Sequence, residues 1–503
     1  MMPARRRASL TGPDSFSFLN EDGSLAIDGW DNPKREKLWR YNQHYFDDLN
    51  AIGAASRRDW HATLIAAWLT DNPAGSGSGF EPYPTSLRIV NWVKWLLGGG
   101  NPPRGMLDSL ALQTRWLCKR LEYHLLGNHL FANAKALIFS GMFFDGAESA
   151  HWLKLGLAIL QREFDEQILS DGGHFELSPM YHALGLEDVL DLINLTCAMS
   201  GALEPAQSDQ VAHWRRRVPQ MVAWLRAMSH PDGEIAFFND AALAIAPEND
   251  ELFEYARRLD LEVPHNSNAI LWLEQSGYVR LENETSVVIA DMARIGPDYL
   301  PGHAHADTLS FEWSLFSERV IVNSGTSLYG LGEERLRQRG TPAHSTVTIA
   351  RQNSSDVWSG FRVGARARPI GPSSSVDGET LIAECSHDGY RSLPGRPIHH
   401  RRWELRPGAL KIFDTACPSD HSAEARFHFH PDVCIEQRGL YEGELILAGG
   451  GRVSWRAEGG PLRSERSTWH PEFGRSLRST CLVLRLLNGS SIFELTWSGR
   501  FPK

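Results

Sequence analysis

Between about Leu38 and about Leu273 the apolar residues recur at intervals of three and four: Leu64, Ala67 and Trp68; Ile89, Trp92, Val93 and Leu96; Leu112, Trp116 and Leu117; Val189, Leu192 and Ile193. That spacing gathers each set on one face of an α-helix. Gly, Pro and Asp clusters, such as Asn72 to Gly79 and His230 to Gly233, separate one predicted helix from the next. After about Gln275 the period shortens to two. Tyr278 to Leu281, Ser286 to Ala290, Val320 to Val322, Ser345 to Ile349, Ala409 to Phe413, Leu445 to Leu447 and Cys481 to Leu486 read as strands bounded by turn residues. No helical pattern alternates with them, so the expectation is an antiparallel sandwich rather than a parallel α/β sheet.

The pattern therefore predicts an α+β, multidomain chain: an extension over residues 1–37, a helical domain over 38–270 and an antiparallel β-sandwich domain over 271–503, with the boundary between Leu261 and Ser276. A helical half followed by a β half makes the interdomain cleft the natural binding site. No fixed repeat period emerges, and Ser373-Ser374-Ser375, like the Gly/Ser stretch near residue 76, reads as a loop.

Composition narrows the class. A chain of 503 residues with 42% hydrophobic and 22% charged residues is long enough for two or three domains of ordinary globular protein. Its net charge of −10 disfavours nucleic acid, and an acidic polymer is admitted only by a local basic cleft. Six widely spaced cysteines with no Cys-x-x-Cys pair read as buried thiols. The basic start Met1-Met2-Pro3-Ala4-Arg5-Arg6-Arg7 lacks a following apolar core, so no secretory signal is expected and the cytoplasm is the default compartment. No run is long enough to span a bilayer, and oligomeric state is left open.

Candidate chemistry concentrates in Gly302-His303-Ala304-His305-Ala306-Asp307, just before the apolar run Leu309 to Trp313. If the stretch is a strand, both imidazoles and the carboxylate project from one face. Asn128 opens a helical stretch, where an N-cap role is the structural alternative. Asp171 to His182 is a turn running into a helix that brings Glu176, Tyr181 and His182 close in sequence. Tyr181 reads equally as core; as a catalytic base it needs a lowered pKa, since free phenol titrates near about 10. Asn323, Arg335, Arg339 and His344 follow, and His305, Asn323 and His344 form a metal site only if tertiary packing assembles them.

Taken together, Trp39-Arg40-Tyr41-Asn42-Gln43-His44-Tyr45-Phe46, Asn128-His129-Leu130, the Asp171 to His182 segment, Gly302 to Asp307 and Ala343-His344-Ser345-Thr346 resemble the heparinase II/III family of polysaccharide lyases. The resemblance implies a helical (α/α) toroid before the β-sandwich and β-elimination on a uronate polysaccharide, a glycosaminoglycan or alginate. It assigns Asn128 to the uronate carboxylate, Tyr181 and His303 to catalysis, and His305, position 323 and His344 to a divalent metal (Zn, Mn or Ca). Position 323 is usually Asp in the family and is Asn here, a poorer cation ligand for which Asp307 compensates only if it comes within reach. No organic cofactor is implied.

These residue types suit the chemistry. Removal of the C5 proton builds charge on the uronate carboxylate, which an amide such as Asn128, with His129, stabilises. In a syn elimination from glucuronate or mannuronate, Tyr181 as phenolate takes the proton and returns it to the leaving oxygen. In an anti elimination from iduronate or guluronate, His303 is the base and Tyr181 the acid. Arg88, Arg335 and Arg339 are candidates for attracting the anionic chain, and Glu176 for contacting sugar hydroxyls. Two other functions compete: a glycoside hydrolase resting on Glu176, Asp232, Glu234 and Asp240, and a catalytically silent polysaccharide-binding protein.

Overall fold

The computed structural model describes residues 2–199, 203–265 and 267–498. The chain forms two compact units, one comprising the chain up to Gly172 with Ala183–Val222 and Ala244–Pro264, the other comprising Gly173–His182, Ala223–Leu243 and the chain from His265 onward.

The first unit is helical. Its helices include Arg58–Asp71, Pro82–Leu97, Met106–Cys118, Gly127–Phe143, Ala147–Gln167 and Asn249–Arg258, with most of Pro179–Ala198 and Pro205–Ala227. The expected faces are the buried ones: Leu64 and Trp68, Ile89, Trp92 and Val93, and Val189, Leu192 and Ile193 are each at most 5% exposed. Trp68 and Trp92 meet edge to face at 5.5 Å, and Phe46 meets Trp92 in the same way at 5.5 Å, a geometry that adds to burial. A buried ionic cluster also joins these helices: Lys135 Nζ lies 2.7 Å from Asp188 and 2.5 Å from Asp191, Lys94 pairs with Asp191, and the Tyr255 hydroxyl donates to Asp191 at 2.9 Å.

Ahead of the helices, the residues 1–37 extension folds into a three-stranded antiparallel sheet, Leu10–Gly12, Ser15–Phe18 and Glu21–Ser24. Gly23 sits so close over Trp39 that a Cβ there would lie 2.5 Å from the indole. The three arginines that open the chain are ion-paired: Arg5 to Glu251, Arg6 to Glu187 and Arg7 to Glu248. No helix among the described residues is long and apolar enough to cross a membrane.

The second unit is antiparallel throughout its sheets. A five-stranded sheet runs Ile270–Leu273, Tyr278–Glu282, Ser286–Asp291, Phe311–Leu315 and Glu318–Ile321 in sequence order. Backbone bonds from Val322 to His428 (2.9 Å) and from His430 to Val320 (3.0 Å) join it to a four-stranded sheet containing Val347–Ile349, Ala423–His428, Leu462–Trp469 and Leu477–Arg485. An eight-stranded sheet shares one apolar core with both, through residues such as Phe311, Trp313, Trp403, Phe427, Trp455 and Phe493. Strands of the eight-stranded sheet alternate buried and exposed positions, as in Arg452–Glu458, so one face meets water. Strands Ser286–Asp291 and Phe311–Leu315 are buried at every position.

Three expectations change. Ser373-Ser374-Ser375 is not a loop; it pairs with Glu384, Ala383 and Ile382 in the edge strand Pro369–Asp377, whose exposed position leaves no apolar period to read. The cysteines are free thiols, but only Cys385 and Cys481 are buried, while Cys197, Cys417 and Cys434 are exposed. The strand after the histidine motif begins at Phe311, so His303, His305 and Asp307 lie in a loop that backbone bonds from Ala306 to Arg339 (2.8 Å) and from Ser310 to Asp307 (2.8 Å) hold in shape.

Candidate active site

The site is built in the second unit on the far side of strand Phe311–Leu315. Phe311, Trp313 and Leu315 point into the apolar core, so Glu312 and Ser314 face the other way. Glu312 Oε2 lies 2.8 Å from His230 Nε2 and accepts the Phe237 N–H at 3.1 Å; Ser314 Oγ lies 2.7 Å from His230 Nδ1. These bonds fasten the segment leading to Asn239 and Asp240 onto the sheet. Burial pushes the Glu312 carboxyl up to about 7.

Asn239 takes a left-handed backbone (φ 57°) and uses its backbone N–H and its side-chain amide as a joint. Its Nδ2 donates to the Leu177 carbonyl (2.9 Å), its Oδ1 accepts the His305 N–H (3.0 Å), and its own N–H donates to Asp307 (3.2 Å). Leu177 and Leu309 are also left-handed, at φ 58° and 62°, a conformation that costs about 1–3 kcal/mol each in a non-glycine residue.

Asp240 is the electrostatic centre. Its carboxylate accepts from Arg335 through both terminal nitrogens, one at 2.7 Å, and lies 2.9 Å from His303 Nδ1 and 2.8 Å from His305 Nε2. Burial alone would raise this carboxyl, but Arg335 and the two histidines hold it well below the usual carboxylate range. A neutral imidazole facing a carboxylate through Nδ1 carries its proton there, which leaves His303 Nε2 as the basic lone pair. In sequence Asp240 reads only as a candidate carboxylate of a hydrolase. Nothing in the Phe237-Phe238-Asn239-Asp240 stretch announces a partner for His303 more than 60 residues later.

The Tyr181 ring lies against His303 with centroids 4.0 Å apart and planes tilted by 32°. Its hydroxyl is 2.8 Å from that of Tyr329, a residue that stands in no recognisable motif. Burial, then Tyr329 and Asp240, push the Tyr181 phenol well above its ordinary value. The lowered pKa that a phenolate base requires is therefore reversed, and burial holds Tyr181 as the neutral phenol.

His305 Nδ1 lies 3.2 Å from His344 Nε2, and a carboxylate oxygen of Asp307 completes a buried trio of ligand atoms, all within 4.8 Å of one another. Two nitrogens on one tetrahedral Zn²⁺ at about 2.0–2.1 Å stand about 3.3 Å apart, so the residues fit a divalent cation. His305 is backed by Asp240 in the manner of a metal-ligating histidine. Asn323 does not supply the acidic ligand. Its Nδ2 donates to the Phe237 carbonyl (2.9 Å) and Ser310 Oγ (3.2 Å), and its Oδ1 accepts the Ser345 N–H (3.2 Å). The carboxylate within reach is Asp307, which arrives through its loop.

Several candidates have other tasks. Arg88 is 0% exposed, stacks over Trp68 at 4.0 Å and donates to Gln113 (2.9 Å) and the His44 carbonyl (3.2 Å), so it is a core residue and not an anion ligand. Arg339 is likewise 0% exposed and donates to the carbonyls of Ala304, Ser359 and Arg362, clamping the histidine loop. Glu176 is buried, 3.9 Å from His174, with no open face for sugar hydroxyls. In the first unit, the His129 ring lies against Tyr83 with centroids 4.5 Å apart and planes tilted by 37°, and is 3.1 Å from Glu122. Asn128 is not an N-cap: helix Gly127–Phe143 is capped at Leu126 with no side-chain bond, and the half-buried Asn128 amide is spent on no described residue. The hydrolase reading weakens, because Asp240 is locked to Arg335 and Asp232 pairs with Arg319 at 2.6 Å, both held ionised and unable to serve as the acid.

Comparison with known proteins agrees with this architecture. Residues 106–258 match the heparinase II/III N-terminus model and residues 266–498 the heparinase II/III-like C-terminal model. A heparin-sulfate lyase of Bacteroides stercoris is 28% identical over 256 residues, 46% of this chain and 37% of the relative. One of Pedobacter heparinus is 26% identical over 275 residues, 49% of this chain and 39% of the relative. The matched segments thus span well under half of these relatives. A crystal structure of heparinase III superposes with a TM-score of 0.76 at 17% identity, covering 95% of this chain and 81% of that one, which establishes the same fold of helical toroid and antiparallel sheets. With both family models matched in order along a chain of this fold, the protein belongs to the heparinase II/III family.

Proposed function

We propose that this protein is a polysaccharide lyase that cleaves a glucuronate-containing glycosaminoglycan of the heparan type by syn β-elimination. The observation that carries the reading is the placement of Tyr181 against His303 at 4.0 Å. A pyranose held between two rings needs them about 7–8 Å apart, two carbon contacts of 3.5–4.0 Å. These rings cannot flank a sugar on opposite faces, so they act from one face, the geometry of syn elimination from glucuronate. The similarity to heparin-sulfate lyases supports heparan as the polymer.

In the reaction, His303 Nε2 takes the proton from C5, the C–H electron pair becomes the C4–C5 double bond, and the C4–O4 bond breaks. The departing O4 takes the Tyr181 phenolic proton. His303 then returns its proton to Tyr181, which restores both groups. Asp240 holds His303 in the required tautomer, and Tyr329 orients the Tyr181 hydroxyl. General acid–base catalysis of this kind contributes about 10²–10⁴ in rate.

His305, His344 and Asp307 would hold a divalent cation. When bound it supplies a fixed positive charge that braces the loop carrying His303.

The test is absorbance near 230–235 nm, where an unsaturated uronate absorbs, on heparan sulfate, heparin, chondroitin sulfate, hyaluronan, dermatan sulfate and alginate. A rise on the glucuronate-rich heparan chain that Tyr181→Phe abolishes is the expected result. Cleavage confined to iduronate-rich dermatan sulfate, or new reducing ends without absorbance, would overturn it.

A further inference from the structure

Arg88, Arg335 and Arg339 are buried, yet Arg362, on a hairpin whose Phe361 meets His303, is exposed. The short hairpin Val357–Trp358 and Arg362–Val363 turns through Ser359, Gly360 and Phe361. Trp358 is 56% exposed and Phe361 40%, and the neighbouring Leu331 is 77% exposed. Trp358 and Arg362 are direct cross-strand partners, so their side chains share one face. The exposed Arg362 guanidinium meets no acidic group among the described residues.

This tip is fixed in place, and it is continuous with the catalytic groups. Arg335 Nε donates to the Gly360 carbonyl (3.1 Å), and Arg339 donates to those of Ser359 (3.1 Å) and Arg362 (3.3 Å). A Cβ on Gly360 would lie 2.3 Å from the Gly330 carbonyl, so the turn is pressed against the strand of chain that carries Tyr329. Phe361 packs on Tyr329 at 5.3 Å and edge-on to His303 at 6.1 Å. An exposed indole beside an unpaired cation on a braced hairpin suits an anionic sugar, the ring meeting the apolar face and the guanidinium supplying the local positive charge that the net charge of −10 otherwise denies.

We propose that the hairpin Val357–Val363 is a sugar-binding subsite for the pyranose next to the uronate being cleaved, with Trp358 stacking on its apolar face and Arg362, on the same face of the hairpin, pairing with its sulfate or carboxylate. The assignment rests on the lyase reading for which sugar is cleaved, and on the hairpin alone for the binding.

The test compares wild type, Trp358→Ala, Trp358→Phe and Arg362→Gln in two assays: lyase kinetics on heparan sulfate, and affinity electrophoresis in gels containing the same polymer. Trp358→Ala is expected to raise KM and weaken retardation by about tenfold with kcat unchanged, and Trp358→Phe to recover most of both. Arg362→Gln should weaken both as well; loss of that penalty on desulfated chains identifies the anion as sulfate, and its persistence identifies a carboxylate. An active enzyme whose KM and retardation are indifferent to Trp358→Ala and Arg362→Gln overturns the subsite and leaves the lyase standing. A wild type that cleaves nothing but loses retardation with Trp358→Ala keeps the subsite and sinks the lyase, and a wild type that neither cleaves nor is retarded overturns both.

Discussion

Replacing Asp240 with Asn tests the arrangement at its most connected atom pair. Asp240 and Arg335 are both 0% exposed, and the substitution removes a charge without changing shape. Two consequences follow separately. For stability, the Arg335 guanidinium keeps one amide oxygen but loses its counter-ion, which costs about 3 kcal/mol, the lower end of the range for breaking a buried pair. At about 2–4 °C per kcal/mol for a unit of this size, the melting temperature falls by about 6–12 °C. For catalysis, the amide offers His303 Nδ1 a donor in place of an acceptor, so the imidazole carries its proton on Nε2 and ceases to be a base. Loss of that function lowers kcat by about 10²–10⁴, or about 2.7–5.4 kcal/mol in the barrier. The assay is the absorbance rate on heparan sulfate at a temperature where circular dichroism shows the variant fully folded. A folded Asp240→Asn protein with kcat within about threefold of wild type would refute the claim that this carboxylate sets the state of His303.

Tyr181→Phe is expected to lower kcat by at least about 10² while costing only about 1 kcal/mol of stability, the value of its hydrogen bond to Tyr329, measured by urea unfolding beside the lyase assay. Arg88→Ala should do the reverse: its lost bonds to Gln113 and the His44 carbonyl destabilise the helical unit by about 2–4 kcal/mol, with KM of the folded enzyme unchanged. Burial depresses His44 and His428 to about 3, so each resists protonation in the folded protein. Their contribution is intact above the unfolded histidine value of about 6.5 and falls by about 1.4 kcal/mol per pH unit for each as pH drops below it. Unfolding measured at pH 7 and pH 5 should show that slope, and a His428→Gln variant should reduce it. Added Zn²⁺, Mn²⁺ or Ca²⁺ is expected to raise the melting temperature, with the gain lost in His344→Ala and Asp307→Asn; a wild type unmoved by all three would remove the cation.

Period and turn chemistry carried the architecture, because amphipathic helices and strands write their buried faces into the sequence. The strands at Tyr278, Ser286 and Ala409 and the helical faces through Trp68, Trp92 and Leu192 are found where the pattern puts them. What the pattern does not encode is who meets whom across the chain. Asp240 joins His303 through a loop-to-loop contact, and Asp307 lies beside His305 and His344 through the loop that precedes strand Phe311–Leu315. Arginines are the hardest to read: Arg88, Arg335 and Arg339 look identical to Arg362 in sequence, yet three are spent inside the protein and one faces water.

The distribution of tryptophan has an optical consequence. Of 17 tryptophans, Trp358 alone is exposed among the described residues, and the others are buried or half-buried. Emission from the protein is therefore dominated by indoles shielded from solvent, with a small red-edge component that an aqueous quencher such as iodide reaches most readily at Trp358. A polysaccharide lying over the hairpin would reduce that accessibility while leaving the shielded indoles unchanged, so Trp358 would serve as an intrinsic fluorescent gauge of the proposed subsite.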